Sequence, residues 1–308
     1  MKRIFLLITA AVAAAAITGC YESKLNETDH PTEGKIVIEV ALPTTDDGEV
    51  LTGDYYVVIN GEVLPVDDNG QVQFPDTYEV GTYTAYVYNV PESTTVDATA
   101  ADVVIAAVDE MGVVGIIDGT PGLLYFGTQT FEITADSVTA SEVTLVQITC
   151  EVNFELELEG TSMDRISNIT AMLDGVVQQW DCVNDLPYGS SYSLSPELTQ
   201  GTTTATSTVK NRVTRADGEE IEVLQGTVYI LGVHPDSEQK LTITLEYEDD
   251  NPTSHTAKSD ITELLNEVNG NKTTAVTMTG TMSTPINSVT GGAIIDWNDT
   301  LQGDVTIK

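Results

Sequence analysis

The chain has 308 residues, 41% of them hydrophobic, and a formal net charge of −36 at pH 7. Between Ile36 and Asp164 it carries no Lys or Arg against two dozen Asp and Glu. A surface of that sign repels phosphate backbones and anionic head groups, which argues against nucleic-acid binding and favours solubility over edge aggregation.

The first twenty residues set the compartment. Lys2 and Arg3 are followed by an apolar run from Ile4 to Ile17 and then by small residues leading into Cys20, the order of a secretory signal peptide. The run is too short and too rich in Ala to span a bilayer stably. Its ending, Ile17-Thr18-Gly19-Cys20, resembles a bacterial lipobox, with Ile17 where Leu is more usual. That resemblance implies lipid attachment at Cys20, so residues 1–20 are read as a lipoprotein signal peptide. Acyl chains then supply the membrane contact, and no other membrane segment is expected. Residues 21–34 are polar and read as a tether.

From there the pattern is period-two alternation broken by turns. Ile36, Ile38, Val40 and Leu42 share one strand face. Tyr55–Ile59 and Glu62–Val66 flank Asn60-Gly61, a hairpin signal because both central residues need positive φ. Asp68-Asn69-Gly70 predicts a second turn, and Tyr83–Val90 a clear strand. Leu123–Phe126 and Thr130–Thr134 add two more. Ala98–Glu110 is rich in Ala and is expected to hold one short helix. Val143–Leu158 alternates throughout and predicts one long strand, too long for a single small sandwich, that bridges two domains. Accordingly, residues 35–141 are expected to form an N-terminal domain and 142–308 a C-terminal one.

The second half repeats the style over Ser167–Leu173, Gly175–Cys182, Thr203–Thr214, Glu220–Gly232 and Leu241–Tyr247, with a hairpin turn at Ala216-Asp217-Gly218. One further helix is predicted: Asp260 caps it, Glu263 occupies the capping-box position, Ile261, Leu264, Leu265 and Val268 share a face, and Asn269-Gly270 ends it. Strands return at Thr273–Met282 and at Val305–Ile307. Many short strands and plentiful turn residues make the class all-β, a sandwich with one or two short helices.

Chemistry-bearing patterns are sparse. His30 lies in the tether, His234 beside Pro235 and His255 in a polar loop, none at zinc spacing. No phosphate loop, GxSxG or Walker pattern occurs, so no catalytic residue, metal ligand or cofactor is assigned and the chain is read as a non-enzyme. Asp67-Asp68 and Glu248-Asp249-Asp250 are read as solvated turns rather than Ca²⁺ sites. Cys150 and Cys182 lie in an extracytoplasmic setting and form either a disulfide or two small buried hydrophobes. Trp180 and Trp297 are read first as core residues and second as a sugar platform.

The lipobox, Val80-Gly81-Thr82-Tyr83-Thr84-Ala85-Tyr86-Val87-Tyr88-Asn89, Val143-Thr144-Leu145-Val146-Gln147-Ile148, Gly226-Thr227-Val228-Tyr229-Ile230-Leu231-Gly232, the helix beginning at Ser259-Asp260, and the ending from Trp297 to Ile307 stand out along the chain. Those six features, in that order, resemble the fimbrillin-type minor subunits and fimbrial anchor lipoproteins of the Bacteroidota. The third stretch lacks the Arg common in the family and carries Gln147 nearby instead.

The resemblance implies two tandem transthyretin-like β-sandwich domains. It also implies a non-enzymatic lipoprotein of the outer membrane, facing the exterior and serving as a fimbrial anchor or accessory subunit. Its partners would be fimbrial subunits or other surface proteins, joined by β-strand addition. In polymerising relatives a trypsin-like protease cuts after a basic residue near the first strand and opens a groove for a neighbour's strand. Here no basic residue follows Lys35 until Arg165, so the strand Lys35–Leu42 is expected to stay and fill its own groove. The segment Gly291–Lys308, with Val305, Thr306 and Ile307 at its β end, is the expected strand-exchange element. An alternative reading is a surface carbohydrate-binding lipoprotein of a glycan-uptake system, using Trp180 or Trp297.

Overall fold

The computed structural model describes residues 32–44, 48–51, 53–100, 103–108, 115–117, 120–159, 165–204, 220–248, 253–283 and 294–298. In chain order the strands are β1 (Glu33–Ala41), β2 (Tyr55–Ile59), β3 (Glu62–Pro65), β4 (Gln71–Gln73), β5 (Tyr78–Glu79), β6 (Gly81–Asn89), β7 (Thr94–Ala100), β8 (Val103–Val108), β9 (Ile116–Ile117), β10 (Tyr125–Ile133) and β11 (Val138–Thr144). They continue as β12 (Val146–Gln147), β13 (Cys150–Glu159), β14 (Ile166–Asp181), β15 (Leu186–Leu194), β16 (Thr199–Thr204), β17 (Glu220–Ile230), β18 (Lys240–Tyr247) and β19 (Thr253–Asp260). A short helix, α1 (Thr262–Leu265), precedes β20 (Val276–Ser283) and β21 (Ile294–Asn298). The class is all-β, as the alternation predicts.

Two compact units emerge. One holds the described residues of Met1–Val90, Ala98–Val103 and Tyr125–Val146; the other holds those of Pro91–Asp97, Val104–Leu124 and Gln147–Lys308. In the first, a sheet with the order β11-β1-β4, to which β5 adds beside β1, accompanies a five-stranded sheet β12-β10-β6-β2-β3. Ile36 and Ile38 of β1, Val57 and Ile59 of β2, Ala85 and Val87 of β6, Phe74 and Val143 are fully buried. Gly127 is required where β10 meets β11: a Cβ there would lie 2.5 Å from the Thr144 carbonyl oxygen and 2.8 Å from Val143 Cγ1. The Asn60-Gly61 hairpin forms as predicted, with φ of 51° and 81°.

The second unit has a five-stranded sheet β16-β17-β13-β20-β21 and a seven-stranded one that runs β19-β18-β14-β15-β9, with β8 pairing β14 and β7 pairing β8. The core side of β13 presents Cys150, Val152, Phe154, Leu156 and Leu158, and that of β18 presents Leu241, Ile243 and Leu245, all buried. Period-two alternation thus buries one face of each strand.

Four expectations are corrected. Ala98–Glu110 does not form a helix: β7 and β8 occupy it, with Val104, Ala106 and Val108 buried in alternation. Val143–Leu158 is not one strand. Val143 and Thr144 end β11, and β13 starts only at Cys150. Between them the buried Thr149 hydroxyl accepts the Leu124 amide (3.1 Å) and donates to the Gly122 carbonyl (3.2 Å), so a side chain takes over backbone partners.

The tether reading of 21–34 is too long by two residues, because β1 begins at Glu33. The helix after Asp260 spans only four residues. Asp260 accepts the Thr262 amide at 3.0 Å, and the Thr262 hydroxyl and amide hold its carboxyl below the usual carboxylate range. Ile261, Leu265 and Val268 are buried as predicted, while Leu264 is half-buried. The signal peptide with Cys20, His30, the turn at Ala216-Asp217-Gly218, Asp249-Asp250 and the segment Val305, Thr306, Ile307 lie outside the described residues.

Candidate functional site

In a protein built by strand pairing, the chemistry available at the surface is the row of backbone donors and acceptors along an unpaired edge. The first strand offers no such row. On one side of β1, Lys35 through Ala41 pair in parallel with Val138 through Thr144 of β11. On the other, Val37, Ile38 and Glu39 pair with Gln73, Val72 and Gln71 of β4, and Glu33 and Gly34 with Glu79 and Tyr78 of β5. Additional bonds run from the Val40 amide to Gly70 (2.7 Å) and from the Phe74 amide to Ile36 (3.2 Å). In the intact chain β1 is thus paired along both of its sides.

Tyr78 strengthens the same region. Its hydroxyl donates to Glu62 Oε2 at 2.5 Å, and its ring meets Phe74 and Tyr83 edge to face. Burial, then the Glu62 hydrogen bond and charge, push the Tyr78 hydroxyl well above the usual tyrosine range.

Free edges lie elsewhere. Among the described residues the outer strands are β3, β4, β11 and β12 in the first unit and β9, β16, β19 and β21 in the second. β3 is four residues long and ends in Pro65, which blunts it. β15 pairs β9 only at Ser193 and Leu194. Its open stretch exposes Leu186 and Tyr188 but is interrupted by Pro187 and by Gly189 at φ +84°. β21 pairs β20 antiparallel at Asn298–Thr279, Trp297–Gly280, Asp296–Thr281 and Ile294–Met282. The described part of Gly291–Lys308 is therefore an outer strand with one side paired. β19 pairs β18 over eight residues without a bulge and carries the exposed Lys258 outward.

The remaining sequence candidates fall as follows. Cys150 and Cys182 are both buried with free thiols. Burial pushes Cys150 up, and pushes Cys182 up to about 12. Trp180 is completely buried, and its indole N–H donates to Asp185 Oδ1 at 3.1 Å; it is a core residue, not an exposed platform. Trp297 sits on β21.

His234 accepts the Asp236 amide on Nδ1 at 3.2 Å. His255 is not in a loop: it lies in β19 opposite Leu245, is 3% exposed, and its Nε2 finds no partner among the described residues. Asp67 spends its carboxylate on the Asn69 and Gln71 amides (2.9 and 2.8 Å). Among the described residues no group of three or more His, Cys, Asp or Glu is placed to hold a metal. An open depression in the first unit is lined by Thr32, Glu79, Val80, Thr134 and Ala135, with no aromatic ring in that lining.

One buried polar group escaped the sequence reading. Lys272, 7% exposed, lies between α1 and β20, with its ammonium 3.7 Å from the centroid of the Trp180 ring. It donates to the Leu231 carbonyl.

The sequence profile of the fimbrillin-A associated anchor proteins Mfa1 and Mfa2 matches residues 40–307. The chain belongs to this family. Among solved structures it resembles a candidate adhesin of Bacteroides thetaiotaomicron VPI-5482 with 13% identity and a TM-score of 0.55, covering 82% of this chain and 92% of that one. A candidate adhesin of Bacteroides ovatus matches with 10% identity and a TM-score of 0.52, over 86% and 92%. A candidate polysaccharide-binding protein of Bacteroides thetaiotaomicron VPI-5482 matches with 9% identity and a TM-score of 0.51, over 82% and 92%. At these identities the likenesses concern the fold. No curated protein matches the chain.

Proposed function

We propose that the chain is a non-enzymatic cell-surface lipoprotein acting as a fimbrial anchor or accessory subunit, joined to fimbrial subunits by β-strand addition at an edge other than β1. Membership of the anchor-protein family supports the fimbrial role. The observation that carries the finer reading is the double pairing of β1, together with the lack of Lys and Arg from Ile36 to Asp164. A trypsin-like protease has no site at which to release this strand, and cleavage after Lys35 would leave nearly all of it in place. A neighbour's strand therefore cannot take the place of β1.

The membrane link in this reading is lipid on Cys20, supported by the order Lys2, Arg3, apolar run, Ile17-Thr18-Gly19-Cys20. The strand offered to a partner is the C-terminal Gly291–Lys308, with the apolar Val305 and Ile307 alternating about Thr306 and β21 as its paired base. Main-chain bonds along such an edge supply affinity, and pockets for alternate side chains supply specificity.

Affinity purification of the full chain from cell envelopes tests the partner. A fimbrial subunit is expected to co-purify and to be lost when the chain is truncated after Asn298; no fimbrial subunit with either form contradicts the reading. Cys20→Ala is expected to abolish palmitate labelling and release the protein from the membrane fraction; unchanged labelling contradicts the anchor.

A further inference from the structure

Lys272 is out of place on elementary grounds. A lysine in a core loses the hydration of its ammonium, and such residues are almost never fully buried unless paired. Among the described residues no carboxylate comes within ion-pair distance of it. The polarity it meets is arranged differently.

The indole ring of Trp180 on β14 lies beneath the ammonium, with the centroid 3.7 Å away. On the far side of that ring the N–H donates to Asp185 in the turn before β15, an acceptor that draws positive charge to the ring edge and enriches the face under Lys272. The Leu231 carbonyl at the end of β17 accepts from the ammonium. Gly232 leaves the room: a Cβ there would lie 2.5 Å from Trp180 Cζ3 and 3.1 Å from Lys272 Nζ.

The surrounding backbone is pinned to the same spot. Asn269 bonds Val233 twice, accepting its amide at 2.9 Å and donating to its carbonyl at 2.8 Å. Gln147 donates to the Lys272 carbonyl at 3.0 Å and to the Thr149 carbonyl at 2.7 Å. Each contact fixes the stretch that leads into β20, the strand that pairs in parallel with β13 on one side and supports β21 on the other.

We propose that Lys272 is a charge-sensitive clamp: its ammonium ties the connection entering β20 to Trp180 and to the end of β17, and loss of its proton releases that tie. The ionisable groups around it are Cys150 on β13, Cys182 just past β14 and Asp185 in the following turn; Leu231, Gly232, Asn269 and Asn271 contribute none. Burial is the main cause that brings the amine down to about 8, against the opposing pull of Cys150, Asp185 and Cys182. The clamp therefore changes state just above neutral pH, whereas burial holds both thiols above their ordinary range.

Trp180 reports the event, because an ammonium over an indole alters its emission. In a Trp297→Phe background Trp180 is the sole tryptophan. Its fluorescence is expected to show a one-proton transition centred near pH 8, and Lys272→Arg, which stays charged, is expected to show none. A flat profile in the Lys272 protein, or the same transition surviving in Lys272→Arg, overturns the clamp.

A second arm needs no variant at position 272. With the folded amine near 8 and the unfolded one at 10.5, the denaturant unfolding constant read by Trp180 should fall about fivefold from pH 8 to pH 9. A constant that stays level or rises over that interval overturns the proposal.

Discussion

β1 and β21 are strands near the two ends of the chain, yet the fold treats them in opposite ways. β1 has β11 on one side and β4 and β5 on the other, with Ile36 and Ile38 completely buried. β21 has only β20. A strand bonded on both sides leaves only when its unit unfolds, whereas an outer strand opens locally and presents its outward amides and carbonyls to a partner. The comparison separates a first strand closed on both sides from an edge in the second unit that is open to pairing.

The largest way to break the contrast is proline. Ile38→Pro removes a ladder bond in the middle of β1, a position where proline is essentially not tolerated, and is expected to lose the first unit's thermal transition while the second unit's remains. Asp296→Pro on β21 is expected to shift melting by no more than a few degrees and to impair fimbrial co-purification instead. Differential scanning calorimetry of the two variants reads both effects.

Next in size is Lys272→Met. The folded amine lies below its unfolded value, so the charged form is disfavoured by folding. That penalty is complete below pH 8 and is relieved as pH rises from 8 toward 10.5. Lys272→Met should therefore be as stable as the parent or more so at pH 7, by about 1–3 kcal/mol, and should lose the gain in stability between pH 8 and 9. Urea titrations at a series of pH values measure it. A variant that is less stable at pH 7 yet keeps the gain would show that the ammonium is not the group titrating.

Smaller still is thiol reactivity. With Cys182 pushed up to about 12 and Cys150 raised by burial, neither should react with a disulfide reagent at pH 8 on the timescale of an unfolded control. A fast phase of labelling in the folded protein would show the second unit's core opening freely. At the bottom of the scale, Lys240→Ala removes the exposed ion pair with Glu238 and should leave the melting temperature unchanged, since such pairs contribute little in water.

Much of this was legible in the residues. The Asn60-Gly61 turn, the alternation of Ile36, Ile38 and Val40, and the buried faces of Ile261, Leu265 and Val268 follow from local rules. The failures also have physical causes. The residue types alternate through Val146, Ile148 and Cys150, yet burial changes phase there: Val143 and Leu145 are buried, Val146 is exposed, and burial resumes at Ile148 and Cys150; the break rests on Thr149 capturing the Leu124 amide, a contact 25 residues away in sequence. The stretch Ala98–Glu110 looked helical by composition, yet pairing with β14 decided it, through Ile105, Ala106 and Ala107 opposite Asp181, Trp180 and Gln179.

Lys272 gave no local signal. A single lysine after Asn269-Gly270 reads as a solvated loop residue, and only the assembled Trp180 ring and the space at Gly232 make it a core group. His255 was misread for a related reason: Ser, Thr and His look like a loop until β18 pairs beside them.

Hydrogen exchange on the intact protein, alone and with a fimbrial subunit, tests the central claim most directly. The account predicts that the amides of Ile36–Val40 exchange only with unfolding of the first unit, partner present or absent. It also predicts that β21 exchanges faster alone and becomes protected on binding. Exchange of Ile36–Val40 through local opening, or a partner that alters protection of β1 and not of β21, would contradict it.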